Sequence, residues 1–264
     1  MPLDTTLYFD LETAPLAVSH VTLIVQDLDQ VARFYEGVIG LQALSGDDNC
    51  VTLGTDQPFL TLCQNAEARR ADPRDPGLFH TAFLLPDRQN LSSWLAHAIA
   101  AGVTPYGASD HNVSEAVYLD DPEGNGIEVY VDRPVAHWND ASGTLYMPSH
   151  RLDLSTLPEA QPWGGAPDET RIGHVHLQTP AIPEAEAFWT DNGFHVTARY
   201  PGGSFFGAGG YHHQIAANIW QSAGRPVPEG PVTGLQSLAL ASEFDHLPET
   251  SPSGIHITFT PKGA

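Results

Sequence analysis

The chain repeats itself, and the repeat limits what it can fold into. Val18-Ser19-His20-Val21-Thr22-Leu23-Ile24 resembles Ile172-Gly173-His174-Val175-His176-Leu177-Gln178. Each run is followed by an amphipathic stretch with a paired aromatic, Phe34-Tyr35 or Phe188-Trp189, and then by Gly40-Leu41 or Gly193-Phe194. Asp27 and Asp29 are candidate caps for a helix in which Val31, Phe34, Tyr35 and Val38 recur at helical spacing, and the glycine ends it. Strand-like Cys50-Val51-Thr52-Leu53 and Phe59-Leu60-Thr61-Leu62 follow, separated by Gly and Asp turns. Strand, helix and three strands make a βαβββ unit.

A second unit follows directly. His80 to Leu85 reads as a strand, and Arg88 to Ala101 as a helix with Leu91, Trp94, Leu95, Ala98 and Ile99 on one face; Gly102 ends it. Strands are expected near Val113–Leu119 and Gly126–Val131. A third unit runs from about Arg171 to Trp220. The fourth is shortened: His80 and Glu128 are 48 positions apart, whereas their counterparts Ser237 and His256 are 19 apart. The expected fold is therefore α+β, with tandem βαβββ units forming cupped mixed sheets and a truncated last unit. Neighbouring units are expected to pair, giving an N-terminal domain over 1–135 and a C-terminal domain over 171–264. Residues 136–170, rich in proline and containing Gly164-Gly165, read as the connection.

At 264 residues the chain can bury a sizeable core. With 11 Lys+Arg against 32 Asp+Glu the net charge is −21, which repels a phosphate backbone and argues against nucleic acid as a partner. Cys50 and Cys63 are the only cysteines, too few for a disulfide framework, and are expected as buried thiols. Met1 to Val18 contains no basic residue and lacks the pattern of a secretory signal, and no run is long enough to span a bilayer. Cytoplasmic location is expected.

His20 and His80 open the first strands of their units, and Glu128 lies in the last strand of the second. Two imidazoles and one carboxylate are the facial set that holds a divalent metal, typically iron(II), while leaving other positions open. The convergence of these three residues depends on the cupped architecture. Within the second half, Ser237 and His256 stand where a ligand histidine and a carboxylate are expected. That half is therefore expected to be vestigial, with His174, His212, His213 and His256 not jointly holding a catalytic metal.

The repeat plan resembles the vicinal oxygen chelate superfamily of glyoxalases, bleomycin-resistance proteins and extradiol dioxygenases, and is most similar to catechol-2,3-dioxygenase-like proteins. Asp110-His111-Asn112-Val113-Ser114-Glu115-Ala116-Val117-Tyr118-Leu119-Asp120-Asp121-Pro122-Glu123-Gly124-Asn125-Gly126-Ile127-Glu128 is similar to the extradiol signature; Ser109 departs from its usual residue types. The resemblance implies an oxidoreductase that cleaves a catechol-like aromatic with dioxygen, as in aromatic degradation. It implies Fe(II) as the cofactor, with Mn(II) or another divalent metal as alternatives, held by His20, His80 and Glu128. It also implies that Tyr118 hydrogen-bonds to a substrate oxygen and that His111 is a general acid or base. Gly210-Tyr211-His212-His213-Gln214-Ile215-Ala216 resembles the paired-His strand that carries an acid–base histidine in many extradiol enzymes, yet it lies in the other half from the expected metal. A homo-oligomer is expected. The alternatives are a glyoxalase- or isomerase-like metalloenzyme and a non-catalytic binding protein of the same fold.

Overall fold

The computed structural model describes residues 7–244 and 248–262. The first unit comprises β1 (Leu16–Val25), α1 (Leu28–Phe34), β2 (Gln42–Gly46), β3 (Cys50–Gly54) and β4 (Pro58–Gln64). The second comprises β5 (Gly77–Leu84), α2 (Arg88–Ala100), β6 (Gly107–Asp110), β7 (Ser114–Asp120) and β8 (Gly126–Asp132). The short strand β9 (His150–Arg151) lies in the connection. The third unit comprises β10 (Arg171–Gln178), α3 (Ile182–Asp191), β11 (His195–Tyr200), β12 (Gly203–Gly207) and β13 (Ile215–Asn218). β14 (Gly234–Ser242), β15 (Glu249–Thr250) and β16 (His256–Pro261) follow, with no helix among the described residues of this stretch. The fold is mixed α+β, dominated by strands in curled sheets.

Local sequence accounts for the helix boundaries. The Asp27 carboxylate accepts from the Gln30 N–H at 2.9 Å, and that of Asp87 from the Asn90 N–H at 2.8 Å, so each caps a helix start. Gly40 closes the first helical segment at φ 89°, a conformation that costs glycine little. The buried Glu123 carboxylate, from the second unit, accepts the backbone N–H groups of Gln26 and Asp27 at 2.8–2.9 Å. It therefore ties the start of α1 to the turn before β8.

Units adjacent in the chain do not share a sheet. One sheet has seven strands in the order β15-β16-β14-β1-β4-β3-β2, and the other nine, β11-β12-β13-β10-β5-β8-β7-β6-β9. The first unit thus pairs with the last strands, and the second unit pairs with the third. Burial explains the sorting. β8 and most of β10 are buried on both faces, as is the second half of β5, and these strands sit together inside the nine-stranded sheet. β1 and β14 alternate buried with wetter positions and lie together in the other sheet. The two sheets share one apolar core, to which β1 gives Val21, Leu23 and Val25 and β10 gives Ile172, Val175 and Leu177.

The connection is ordered and attached to both sheets. The Ser92 hydroxyl of α2 donates to the Pro158 carbonyl at 2.6 Å, and the Ala166 N–H donates to the Gly40 carbonyl at 2.9 Å. Among the described residues, no helix is long and apolar enough to cross a membrane.

Cys50 and Cys63 correct the expectation of buried thiols. They are direct cross-strand partners in the β3–β4 pair and are joined by a disulfide. Their sequence separation is 13, and closing a loop of that size removes about 3 kcal/mol of chain entropy from the unfolded state. Replacing both cysteines by alanine should lower the unfolding free energy by about 2–3 kcal/mol in a denaturant titration. A variant as stable as the parent in non-reducing buffer would show that the bond contributes nothing.

Candidate metal centre

Strand β8 shows how the centre is built. Ile127, Val129 and Val131 point into the apolar core, so period-two alternation turns Glu128, Tyr130 and Asp132 to the opposite face. That face is covered as well, and all three residues are buried. Buried polar groups need partners, and the neighbouring strands supply them. The register places Ala82 of β5 beside Glu128 and also opposite His174 of β10. Tyr118 of β7 is opposite Glu128 on the other side. Ala82 is small, so the Glu128 and His174 side chains can reach towards each other above it. His80, two residues before Ala82 on the same face, completes the group.

His80 Nε2 lies 3.0 Å and His174 Nε2 3.3 Å from Glu128 Oε2, and the two nitrogens are 3.4 Å apart. Among the described residues, this is the one group of three potential metal-ligating side chains whose donor atoms all fall within 4.8 Å of each other. Burial works to raise the Glu128 carboxyl, but the charge and hydrogen bonds of His174 and His80 outweigh it and hold it well below the carboxylate range. Burial pushes the His174 imidazole down, towards its neutral form. His174 Nδ1 is enclosed with no partner among the described residues. Gly173 is required just before it, because a Cβ there would overlap the Tyr130 hydroxyl.

Of the residues expected from sequence, the structure brings together His80, Glu128, Tyr118 and His111, but not His20. His20 lies on β1 in the seven-stranded sheet, where its Nε2 is 2.8 Å from the Thr61 hydroxyl, itself 2.9 Å from that of Thr52. The expectation of His20 beside the other two is therefore corrected: its repeat equivalent His174 is the side chain that stands with His80 and Glu128. The physical reason is the sheet pairing, which sets β5 against β10 rather than beside β1. Ser237 and His256 are neighbours on β14 and β16, also in the seven-stranded sheet.

The centre opens into a cavity of about 410 Å³. Phe79, Tyr106, Phe205 and Trp220 form much of its wall, and Met147 and Ser149 of the connection also line it. His111 Nδ1 is 2.8 Å from the Pro148 carbonyl, which can only accept, so Nδ1 carries the proton. His111 Nε2, 2.8 Å from the Tyr118 oxygen, is then the acceptor, and Tyr118 donates to it. Burial, with the Glu128 charge second, raises the Tyr118 phenol well above its usual range. It is held as a neutral hydroxyl.

The cavity also holds His213, from the paired-His strand, and His176, which the sequence reading did not single out. His176 is directly opposite His80 in the β5–β10 pair. Its Nε2 is 3.0 Å from Asn218 Nδ2, while Asn218 Oδ1 accepts from the Trp220 N–H at 3.0 Å. The His213 ring lies tilted against that of His174, with ring centroids 4.2 Å apart. Burial pushes both His176 and His213 well down from the usual imidazole range. The signal was the His174-Val175-His176 alternation, which turns two imidazoles to one face of a strand.

The profile of the Glyoxalase/Bleomycin resistance protein/Dioxygenase superfamily matches residues 17–129. A catechol-2,3-dioxygenase of Bacillus subtilis (strain 168) is 41% identical over 224 residues, covering 81% of this chain and 78% of that protein. A crystal structure from Bacillus subtilis subsp. subtilis str. 168, provisionally assigned as a dioxygenase, superposes with a TM-score of 0.64 at 16% identity, covering 94% of this chain and 86% of the other. The V278E mutant of maize (Zea mays) glyoxalase I superposes with a TM-score of 0.55 at 13% identity, covering 95% and 94%. These two likenesses concern the fold alone.

The geometry separates the two candidate histidines by experiment. His174→Ala should lower affinity for iron(II) or zinc(II) by more than the roughly 100-fold that losing an outer-shell partner costs, as read by metal content after dialysis. His20→Ala should retain the metal of the parent protein. Equal losses, or loss only with His20→Ala, would place the centre elsewhere.

Proposed function

The chain belongs to the Glyoxalase/Bleomycin resistance protein/Dioxygenase superfamily, and from that premise we propose that it is a metal-dependent extradiol dioxygenase acting on a catechol-like aromatic. The observation that carries this reading is a three-ligand centre at the floor of an aromatic-walled cavity, with Tyr118 and His213 also lining it. Support comes from the relative named catechol-2,3-dioxygenase.

The donor set fits a divalent metal. Glu128 is a buried negative charge, and His80 and His174 turn nitrogens towards the same point. Two imidazoles and one carboxylate suit iron(II), with manganese(II) or another divalent ion as alternatives, and three protein ligands leave positions for small molecules. When bound, such a metal would supply the positive charge that makes a catechol easier to deprotonate and a site at which dioxygen can be activated.

The remaining work falls to the protein's own side chains. Phe79, Phe205 and Trp220 offer ring faces and edges against which a flat aromatic can pack, and they exclude water from it. Because Tyr118 donates to His111, its oxygen lone pairs face the substrate as acceptors, and a rotation of the hydroxyl would convert it to a donor. His213 is the base that takes a proton from a substrate hydroxyl, since its burial keeps it neutral and able to accept one. His111 orients Tyr118 through the bond between them rather than acting on the substrate alone.

Anaerobic reconstitution with iron(II), followed by oxygen and a panel of catechols, should give a yellow ring-cleavage product with matching oxygen uptake. Turnover without oxygen consumption would instead indicate glyoxalase- or isomerase-like Lewis-acid chemistry. A metal-loaded protein that processes no catechol would remove the reading. Tyr118→Phe should lower kcat by about 100-fold while leaving bound metal unchanged, in line with the loss of one positioned proton-handling group.

A further inference from the structure

A second row of buried groups lies behind the cavity wall. Asp132 Oδ1 is 2.8 Å from His212 Nε2, and His212 Nδ1 is 2.8 Å from His213 Nδ1. We propose that Asp132 and His212 are positioning residues that fix His213 as the tautomer whose Nε2 lone pair faces the substrate. This rests on the reading of His213 as the base of the cavity.

The proton positions follow in sequence from the acceptor-only end. A carboxylate can only accept, so His212 Nε2 carries the hydrogen. A neutral imidazole has one N–H, so His212 Nδ1 holds a lone pair. The hydrogen in the 2.8 Å bond between the rings then belongs to His213 Nδ1. That leaves Nε2 as the basic nitrogen of His213, on a residue that lines the cavity. The opposite tautomer would present an N–H to the substrate hydroxyl and could not remove its proton.

Packing holds the row in place. The His212 side chain is 0% exposed, with the Tyr211 ring 4.0 Å away and the Trp138 ring edge-on at 4.9 Å. The Thr197 hydroxyl donates to the His212 carbonyl at 2.6 Å. His213 is held between His174 and the edge-on Phe205 ring at 5.0 Å. Asp132 Oδ2 is buried with no hydrogen-bond partner among the described residues, so the shortest bond of the carboxylate is that of Oδ1 to His212, with the Tyr211 phenol as its other polar neighbour. A group serving packing alone would cost less as an apolar side chain. The cost is explained if the carboxylate sets the direction of both hydrogens.

Nitrogen-15 histidine NMR on the full-length, zinc-loaded protein reads this directly. The expected pattern is hydrogen on His213 Nδ1 and on His212 Nε2, with His213 Nε2 bare. Hydrogen on His213 Nε2, or a doubly protonated His212 that donates to His213, would overturn the proposal. Asp132→Asn keeps the volume but offers an amide N–H to His212, which should reverse both tautomers in the same spectra. In the iron-loaded enzyme, kcat should fall by about 10⁴-fold, the scale seen when the orienting carboxylate of a catalytic histidine is neutralised. KM and metal content should stay within about twofold, because only the base is lost. An Asn variant with parental kcat and tautomers would also overturn it. If the native protein processes no catechol, the dioxygenase reading fails, while the spectra still decide the tautomers. Should Asp132→Asn not fold, the native spectrum alone is decisive.

Discussion

The antiparallel pairing of β5 with β10 is the contact on which everything else in this molecule depends. Its register sets His176 against His80 and His174 against Ala82, and with β8 alongside it brings Glu128 within 3.3 Å of both His80 and His174. A slip of one residue would turn the imidazoles into the apolar core and the aliphatic side chains into the cavity. The register is protected because both faces of the seam are covered. One face packs into the apolar core with Phe83, Ile172 and Val175, and the other carries the polar cluster.

That arrangement has a cost. Breaking a buried ion pair by removing one partner commonly costs about 3–5 kcal/mol, because the remaining charge is left without compensation. The nine-stranded sheet holds several such groups: Glu128 with its histidines and Asp132 with His212 on the cavity face, and Glu115 with Arg133 and Arg88 at 2.6–2.7 Å on the other. The seven-stranded sheet has the same strand–helix–strand beginning, but its corresponding face carries Ser19, Thr22 and Thr61 around a half-buried His20. One sheet accepts buried polarity and encloses a cavity. The other is built largely from hydroxyls and apolar side chains.

Much of this was legible in the chain. The βαβββ order, the helix caps at Asp27 and Asp87, and the shortened last unit follow from local patterning, which is where sequence carries most information. His80, Glu128, Tyr118 and His111 were recognisable because their spacing lies within a single unit. His174 is legible as the repeat equivalent of His20, but its place beside His80 is not, since strand periodicity does not say which unit a strand will pair with. The clue was that metal residues and the paired histidines fell in different halves. Pairing the second unit with the third puts His213 4.2 Å from His174 and resolves the separation. The Cys50–Cys63 bond was hidden for a similar reason: two cysteines in a chain say little until β3 and β4 are in register.

The connection between the halves gives the order in which this protein can be made. Residues 77 to 132 carry a strand edge at β5 whose partner is not synthesised until residues 171 to 178. At roughly 5–20 residues per second, the growing chain holds that edge open for several seconds, with His80 and Glu128 lacking a neighbour. Over the same interval β1 lacks β14, so neither sheet can close before the third unit has emerged. The first half thus has an unpaired edge in each sheet throughout that interval. The segment in between, anchored on α2 through Ser92 and Arg88, sets the reach from which the later strands return. Long-range seams of this kind make folding slow, and the exposed edge they leave during synthesis is where association with another chain would begin.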